Sequence, residues 1–264
     1  MMEYVSPNAA AFWRFLFGFA ALILLTIKSL PSKATIKENG VGIFLTGFFG
    51  LFGFIFCFTQ GLYYTEALNG ALILAITPAI TLIFAVAFQG HKAKLKEVVG
   101  IVLALIGVLY LLTQGDVSKL SAIKLGKGEL YFMFATVFFS LQNIWIKKYS
   151  GRMNGVSFTM LTNFICFITL GFLMVAEPEF SVSQPWRFWI AAFGMGVPGT
   201  ALAYYCWNMG VKKIGPTKGV IFLNTIPLMV ALFAIPFGAS LYLYHGISFL
   251  LIVSGVLSMQ VGKR

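Results

Sequence analysis

Charge is what this chain has least of. Only 10% of its 264 residues are Asp, Glu, Lys or Arg, where soluble domains carry about 25%. There are eight acidic residues and none lies in the middle of an apolar run; Glu66 and Glu129 sit at segment ends. A proton-coupled cation exporter would want a buried carboxylate, so facilitated diffusion or exchange of neutral or anionic metabolites is favoured. The two histidines, His91 and His245, fall in loops expected on opposite sides of a membrane. Neither has a helical partner at metal spacing, and no nucleophile–base pair is visible, so neither an enzyme nor a metal or other cofactor is expected. The three cysteines, Cys57, Cys166 and Cys206, lie inside apolar runs without a CxxC, which argues against disulfide frameworks and zinc sites. The net charge of +11 is spread over short loops, with no separate basic domain. That pattern points to membrane topology and anionic lipid and away from nucleic acid.

Apolar residues are what it has in excess: 59% of the chain, with a mean hydropathy of +0.90. So much apolar surface fits a chain whose solvent is lipid. Nine apolar segments are read near 8–27, 41–63, 67–89, 97–113, 128–147, 154–176, 187–211, 216–237 and 246–261. Most approach the ~20 residues that a helix needs to cross the bilayer. The first lacks the basic flank and short apolar run of a signal peptide. Alternate loops divide the basic residues unequally. One side holds Lys28, Lys33, Lys37, Lys92, Lys94, Lys96, Lys147, Lys148, Arg152, Lys212, Lys213, Lys218, Lys263 and Arg264; the other holds Lys119, Lys124, Lys127 and Arg187. Fourteen against four predicts that the richer side, with the C-terminus, is cytoplasmic.

The chain repeats itself at an offset of 149 residues. "GFFGLFGFIFCFTQG" (47–61) returns as "GVPGTALAYYCWNMG" (196–210), keeping Gly47/Gly196, Gly50/Gly199, Cys57/Cys206 and Gly61/Gly210. "NGALILAITPAITLIFAVAF" (69–88) returns as "KGVIFLNTIPLMVALFAIPF" (218–237), keeping Gly70/Gly219, Leu74/Leu223, Pro78/Pro227, Phe84/Phe233, Ala85/Ala234 and Phe88/Phe237. Equivalent segments are five crossings apart, and an odd number reverses direction. The loop charges agree: "GHKAKLKE" is basic while its counterpart "GASLYLYHG" has no Lys or Arg. Two oppositely oriented halves that exchange conformations open a shared site first to one side and then to the other. Five spans per half predict ten. "SPNAAAFWRF" occupies the place of "MNGVSFTMLTNF", which begins a second span, so the first helix of the first half is expected to be missing.

In order, the motifs "SPNAAAFWRF", "ALNGALILAITPAITLIFAVAF", "VVGIVLALIGVLYLL", "GPTKGVIFLNTIPLMVALFAIPF" and "ISFLLIVSGVLSMQ" resemble the EamA-like transporters of the drug/metabolite transporter superfamily. The resemblance covers nearly the whole chain. It implies an all-α polytopic membrane protein, an inverted repeat of two five-helix halves (1–115, short of its first helix, and 126–264) around a central substrate cavity in the cell (inner) membrane. The Gly-Glu that the family often carries after the fourth helix of each half reads Gly90-His91 and Ala239-Ser240 here.

Polar side chains inside spans are candidate site residues. Arg14 either meets a substrate carboxylate or phosphate or, the favoured reading, snorkels to the outer interface. Tyr204, Tyr205, Trp207 and Asn208 replace Ile55, Phe56, Phe58 and Thr59 of the first copy. They line a cavity for an apolar body with a few hydrogen-bonding groups, or form an interfacial belt. Thr77 and Asn224 precede Pro78 and Pro227; they face the cavity, satisfy backbone freed by proline, or both. Gln142, Asn143 and Asn163 are cavity residues or interhelical hydrogen-bonders. The glycines are read as packing surfaces. The expected partners are a small-molecule substrate and the lipid bilayer. The expected function is transport of small organic metabolites, with a slight hint of neutral or aromatic amino acids; the rival reading is a non-transporting membrane scaffold or lipid-handling protein.

Overall fold

The computed structural model describes residues 1–2, 4–27, 30–116, 118, 125–175, 183–234, 236 and 242–260. Among these residues there are nine helical spans and no strand. α1 runs Pro7–Thr26. It begins where the Ser6 hydroxyl accepts the Ala9 amide at 3.2 Å and Pro7 supplies a pre-set first turn. α2 joins Lys33–Phe44, a π-helical stretch Leu45–Phe52, and Gly53–Tyr64. α3 is broken into Ala67–Leu74 and Thr77–Gln89, and Gly90 ends it in the left-handed region at φ 64°. α4 runs Leu95–Leu112 and α5 Lys127–Tyr149; a short 3-10 turn, Ser150–Arg152, leads to α6, Gly155–Val175. α7 joins Trp186–Gly196, a second π-helical stretch Val197–Leu202, and Ala203–Ile214. α8 passes from Pro216–Val220 through a 3-10 stretch Ile221–Thr225 to Ile226–Ala234, and α9 runs Leu243–Gln260.

Six of the helices are long and apolar enough to cross a membrane: Pro7–Thr26, Lys33–Tyr64, Asn69–Gln89, Leu95–Leu112, Gly155–Met174 and Leu243–Gln260. Large apolar side chains such as Leu24, Phe172 and Leu250 stand exposed on them, as lipid as solvent allows. The second helix starts at Lys33, ahead of the apolar run expected from 41, because the Ser32 side chain caps it by accepting the Thr35 amide at 3.1 Å. Hydropathy marks the lipid-embedded part of a helix, and the cap marks its start. Ala239 and Ser240, the ends of the sixth, eighth and ninth expected segments, and Lys28, Lys119, Lys124, Lys263 and Arg264 lie outside the described residues.

Small residues set the closest helix contacts. α4 and α9 pack along a seam where a Cβ on Gly255 would stand 2.6 Å from the Gly100 carbonyl oxygen and 2.7 Å from the Ala104 nitrogen. α1 and α7 meet where a Cβ on Gly196 would stand 2.7 Å from the Arg14 carbonyl, and one on Gly18 2.8 Å from the Thr200 side chain. α2 meets α6 likewise, a Cβ on Gly47 falling 3.0 Å from the Thr162 carbonyl. Two buried clusters fill the space between. Ala104, Val108, Ile221, Ile252 and Met259 join α4, α8 and α9; Phe15, Leu51, Ile55, Cys166 and Leu170 join α1, α2 and α6. At one end of the bundle the Glu129 carboxylate accepts the Thr65 hydroxyl at 2.5 Å, the Asn69 amide at 3.0 Å and the Gly126 backbone at 2.9 Å, tying the α2–α3 turn to the start of α5.

The seam predicts an asymmetry between two alanines. Gly255→Ala should lower the thermal midpoint in detergent, since a backbone carbonyl must move; overpacking costs ~1–3 kcal/mol. Gly246→Ala, on the same helix with nothing within 4 Å of its Cβ, should raise the midpoint or leave it unchanged. Equal shifts would refute the seam as a zero-clearance contact.

Candidate functional site

Four helices are interrupted, α2, α3, α7 and α8, and the interruptions of the last three face one another. Pro78 has no N–H to give the Leu74 carbonyl, and the Thr77 hydroxyl donates to that oxygen instead, at 2.5 Å. Pro227 likewise cannot bond the Leu223 carbonyl, which takes the Ile226 amide in a 3-10 turn. In α7, Pro198 removes a further amide inside the π-helical stretch. Between these breaks lies a cavity of about 370 Å³. Leu74, Ala75 and Thr77 of α3, Leu223, Asn224, Ile226 and Pro227 of α8, and Gly199, Ala203, Tyr204 and Trp207 of α7 form its wall. Phe54 and Phe58 of α2, Phe139 of α5, Val108 of α4 and Arg14 of α1 complete most of the rest.

Much of the wall is built in pairs. Phe54/Ala203, Phe58/Trp207, Leu74/Leu223, Ala75/Asn224 and Thr77/Ile226 all line it, and each pair is separated by the 149-residue offset. The two π-helical stretches also overlap in that register, over 48–52 and 197–201. In every one of these pairs but the leucines the two chemistries differ, so equivalent positions present unequal surfaces to whatever fills the space.

The surface is mainly aromatic and aliphatic. Phe54 packs on Phe139 with ring centroids 4.7 Å apart, and Phe139 packs on Trp207 at 5.6 Å. Tyr204, at 9% exposure, rests against Phe15 at 6.2 Å. Polar groups are few. Arg14 donates its Nε to Thr200 Oγ1 at 2.7 Å and an Nη to the Gly199 carbonyl at 3.2 Å. Asn224 is 2% exposed and its Nδ2 has no partner among the described residues.

Of the ten residues expected from sequence, five line the cavity: Arg14, Thr77, Tyr204, Trp207 and Asn224. The other five stand behind or beside it. Asn143 Oδ1 accepts the Trp207 indole N–H at 2.8 Å and its Nδ2 donates to the Phe139 carbonyl at 2.6 Å, so it fixes the indole from behind. Asn208 donates to Thr159 Oγ1 and Asn163 to the Thr159 carbonyl, both at 2.9 Å. Gln142 is buried against α2, where a Cβ on Gly50 would lie 2.8 Å from its own Cβ. Tyr205 is half-buried beside Gly155 of α6. Thr200, Phe54, Phe58 and Phe139 were not singled out in sequence. For Phe54 and Phe58 the signal was present, since they are the repeat counterparts of Ala203 and Trp207. Among the described residues no cluster of His, Cys, Asp and Glu is arranged to hold a metal.

Broken helices around a central apolar cavity, in an all-helical bundle with lipid-facing spans, define a polytopic membrane protein of the transporter type. The EamA-like transporter family model matches residues 1–113 and 126–260, and the chain belongs to that family. It is 30% identical over 261 residues to "Uncharacterized transporter YyaM" of Bacillus subtilis (strain 168), covering 97% of this chain and 85% of that protein. It is 25% identical over 214 residues to "Aromatic amino acid exporter YddG" of Escherichia coli (strain K12), covering 74% of this chain and 68% of that one. A solved structure described as "Crystal structure of protein" superposes with a TM-score of 0.77 at 19% identity, covering 97% of this chain and 88% of the other.

A double-mutant cycle tests how the indole is held. Trp207→Phe and Asn143→Leu should each destabilise the protein by ~1–3 kcal/mol through an orphaned buried partner. Together they should fall short of the sum by roughly 1 kcal/mol. Strict additivity in thermal unfolding would mean that the bond does not position Trp207.

Proposed function

We propose that this chain moves small organic metabolites with an apolar or aromatic body across the cell membrane by alternating access. Its two halves, 1–115 and 126–264, act as oppositely oriented repeats, with the C-terminus in the cytoplasm. The observation that carries the reading is the placement of the cavity: it lies where α3, α7 and α8 are all broken, and its wall is lined in pairs by repeat-related positions. Discontinuous helices at a repeat interface are where transporters hold cargo, because freed backbone is tolerated only around a cavity.

Cavity chemistry supports neutral or aromatic amino acids as cargo. A space of about 370 Å³ walled by Phe54, Phe58, Phe139, Tyr204 and Trp207 has room for a molecule the size of an aromatic amino acid. The YddG relatives, named as aromatic amino acid exporters, support the same class. All eight acidic residues of the chain, Glu3, Glu38, Glu66, Glu97, Asp116, Glu129, Glu177 and Glu179, stand outside the middle of the spans. This favours facilitated diffusion or exchange over proton-coupled cation export.

Counterflow in proteoliposomes, with a labelled panel of neutral and aromatic amino acids, is the direct test. Saturable uptake is expected, and Trp207→Ala should reduce it at least about tenfold, the effect of losing a large buried aromatic contact. A folded protein that shows no counterflow for any member of the panel would favour the scaffold or lipid-handling reading instead.

A further inference from the structure

Arg14 is bonded in a way that a mere positive charge would not require. Its two acceptors, the Gly199 carbonyl and Thr200 Oγ1, both belong to the π-helical stretch of α7. The Thr200 hydroxyl in turn donates to the Met195 carbonyl at 3.0 Å, five residues back. Arg14 therefore clasps the joint of α7 from α1. There is no slack in the contact, since Gly18 and Gly196 bring the two backbones together without room for a Cβ.

The clasp leaves the guanidinium under-used. Of its five N–H donors, two are engaged, and no carboxylate among the described residues pairs with it; the ion pair present there is His91–Glu97. Arg14 lines an otherwise apolar cavity together with Asn224, whose buried Nδ2 is unpartnered. A cation and an orphaned amide donor, with no anionic side chain on the wall, are complementary to an anionic acceptor. A carboxylate offers two oxygens that a guanidinium fork can grip at once, in bonds charged on both partners.

We propose that Arg14 recognises a substrate carboxylate through the same Nε–Nη edge that holds Thr200 and Gly199, and that this capture frees both acceptors and so unlocks the α7 joint. The proposal rests on reading the cavity as the substrate site. Bonds charged on both partners replace bonds charged only on the donor, so the exchange runs in favour of release. A substrate lacking the carboxylate has nothing to offer Arg14 and leaves the joint clasped. Only one half carries the device. Asn163 stands 149 residues after Arg14, and its amide bonds the Thr159 carbonyl of its own helix rather than the π-helical stretch of α2.

The test compares two ligands of one shape, 3-phenylpropanoate and 3-phenylpropanamide, binding to the full chain in nanodiscs. The expected result is saturable binding of the carboxylate, at least about tenfold tighter than the amide. Arg14→Gln should bring the two affinities together. Thr200→Val keeps the shape but removes one competing acceptor. It should tighten carboxylate binding by roughly three- to tenfold, the worth of one hydrogen bond, and leave amide binding unchanged. A purely structural Thr200 would weaken both. Equal binding of the two ligands, no binding of the carboxylate, retained discrimination in Arg14→Gln, or no gain in Thr200→Val would each overturn the proposal. Carboxylate-selective binding without counterflow would instead overturn the transport reading and leave this one standing. Saturable counterflow that ignores the carboxylate would do the reverse.

Discussion

Inside a bilayer there is no water to satisfy a free carbonyl or amide, and this constraint shapes the whole molecule. A helix can be interrupted in lipid only where something in the protein answers the groups that the interruption frees. At each break around the cavity such an answer is present. Thr77 covers Leu74, the Ile226 amide covers Leu223, Thr225 covers Phe222, and Thr200 covers Met195. The repairs surround the cavity, and one of them, Thr77, also forms part of its wall.

The same constraint divides the residues of the chain by task. Glycine and alanine bring helices together where no space is wanted, along α4–α9, α1–α7 and α2–α6. Phenylalanine, tyrosine and tryptophan hold helices apart where space is wanted, around Phe54, Phe139 and Trp207. Asparagine and threonine fill the polar gaps between, as Asn143 does behind Trp207 and Thr159 does between α6 and α7. Arginine is used once in the wall, at the point where two helices touch and one is kinked.

Much of this was legible before any coordinates. Apolar runs located the nine helices because lipid requires them, and Pro78 and Pro227 located two of the breaks because proline has no amide to give. The starts of helices were less legible: α2 begins at Lys33 under the control of Ser32, in a stretch that hydropathy does not mark. Least legible was the facing of polar side chains. In lipid a polar residue is accepted equally at a cavity or between helices, so Trp207 and Asn143, bonded to each other, read alike although only Trp207 lines the wall. Neighbours such as Tyr204 and Tyr205 differ by ~100° around a helix, and that rotation places the first in the wall and the second beside α6. For Arg14 hydropathy shows only a charge near a segment end; the acceptors that it meets, Thr200 and Gly199, lie on α7, 186 and 185 residues away in sequence, where no local pattern marks them.

The α4–α9 seam bears on how the molecule must be assembled. Gly100 and Gly107 of α4 meet Gly255 and Ile252 of α9, so the seam joins two helices far apart in the chain. During synthesis α4 enters the membrane while α9 has yet to be translated, because the N-terminal part of a chain emerges first. For that interval its notched face meets lipid tails, which cannot fill the notches as a helix does. α9 therefore acts as a keystone: it closes a groove on α4, and fixes that helix only after every helix between them has been inserted.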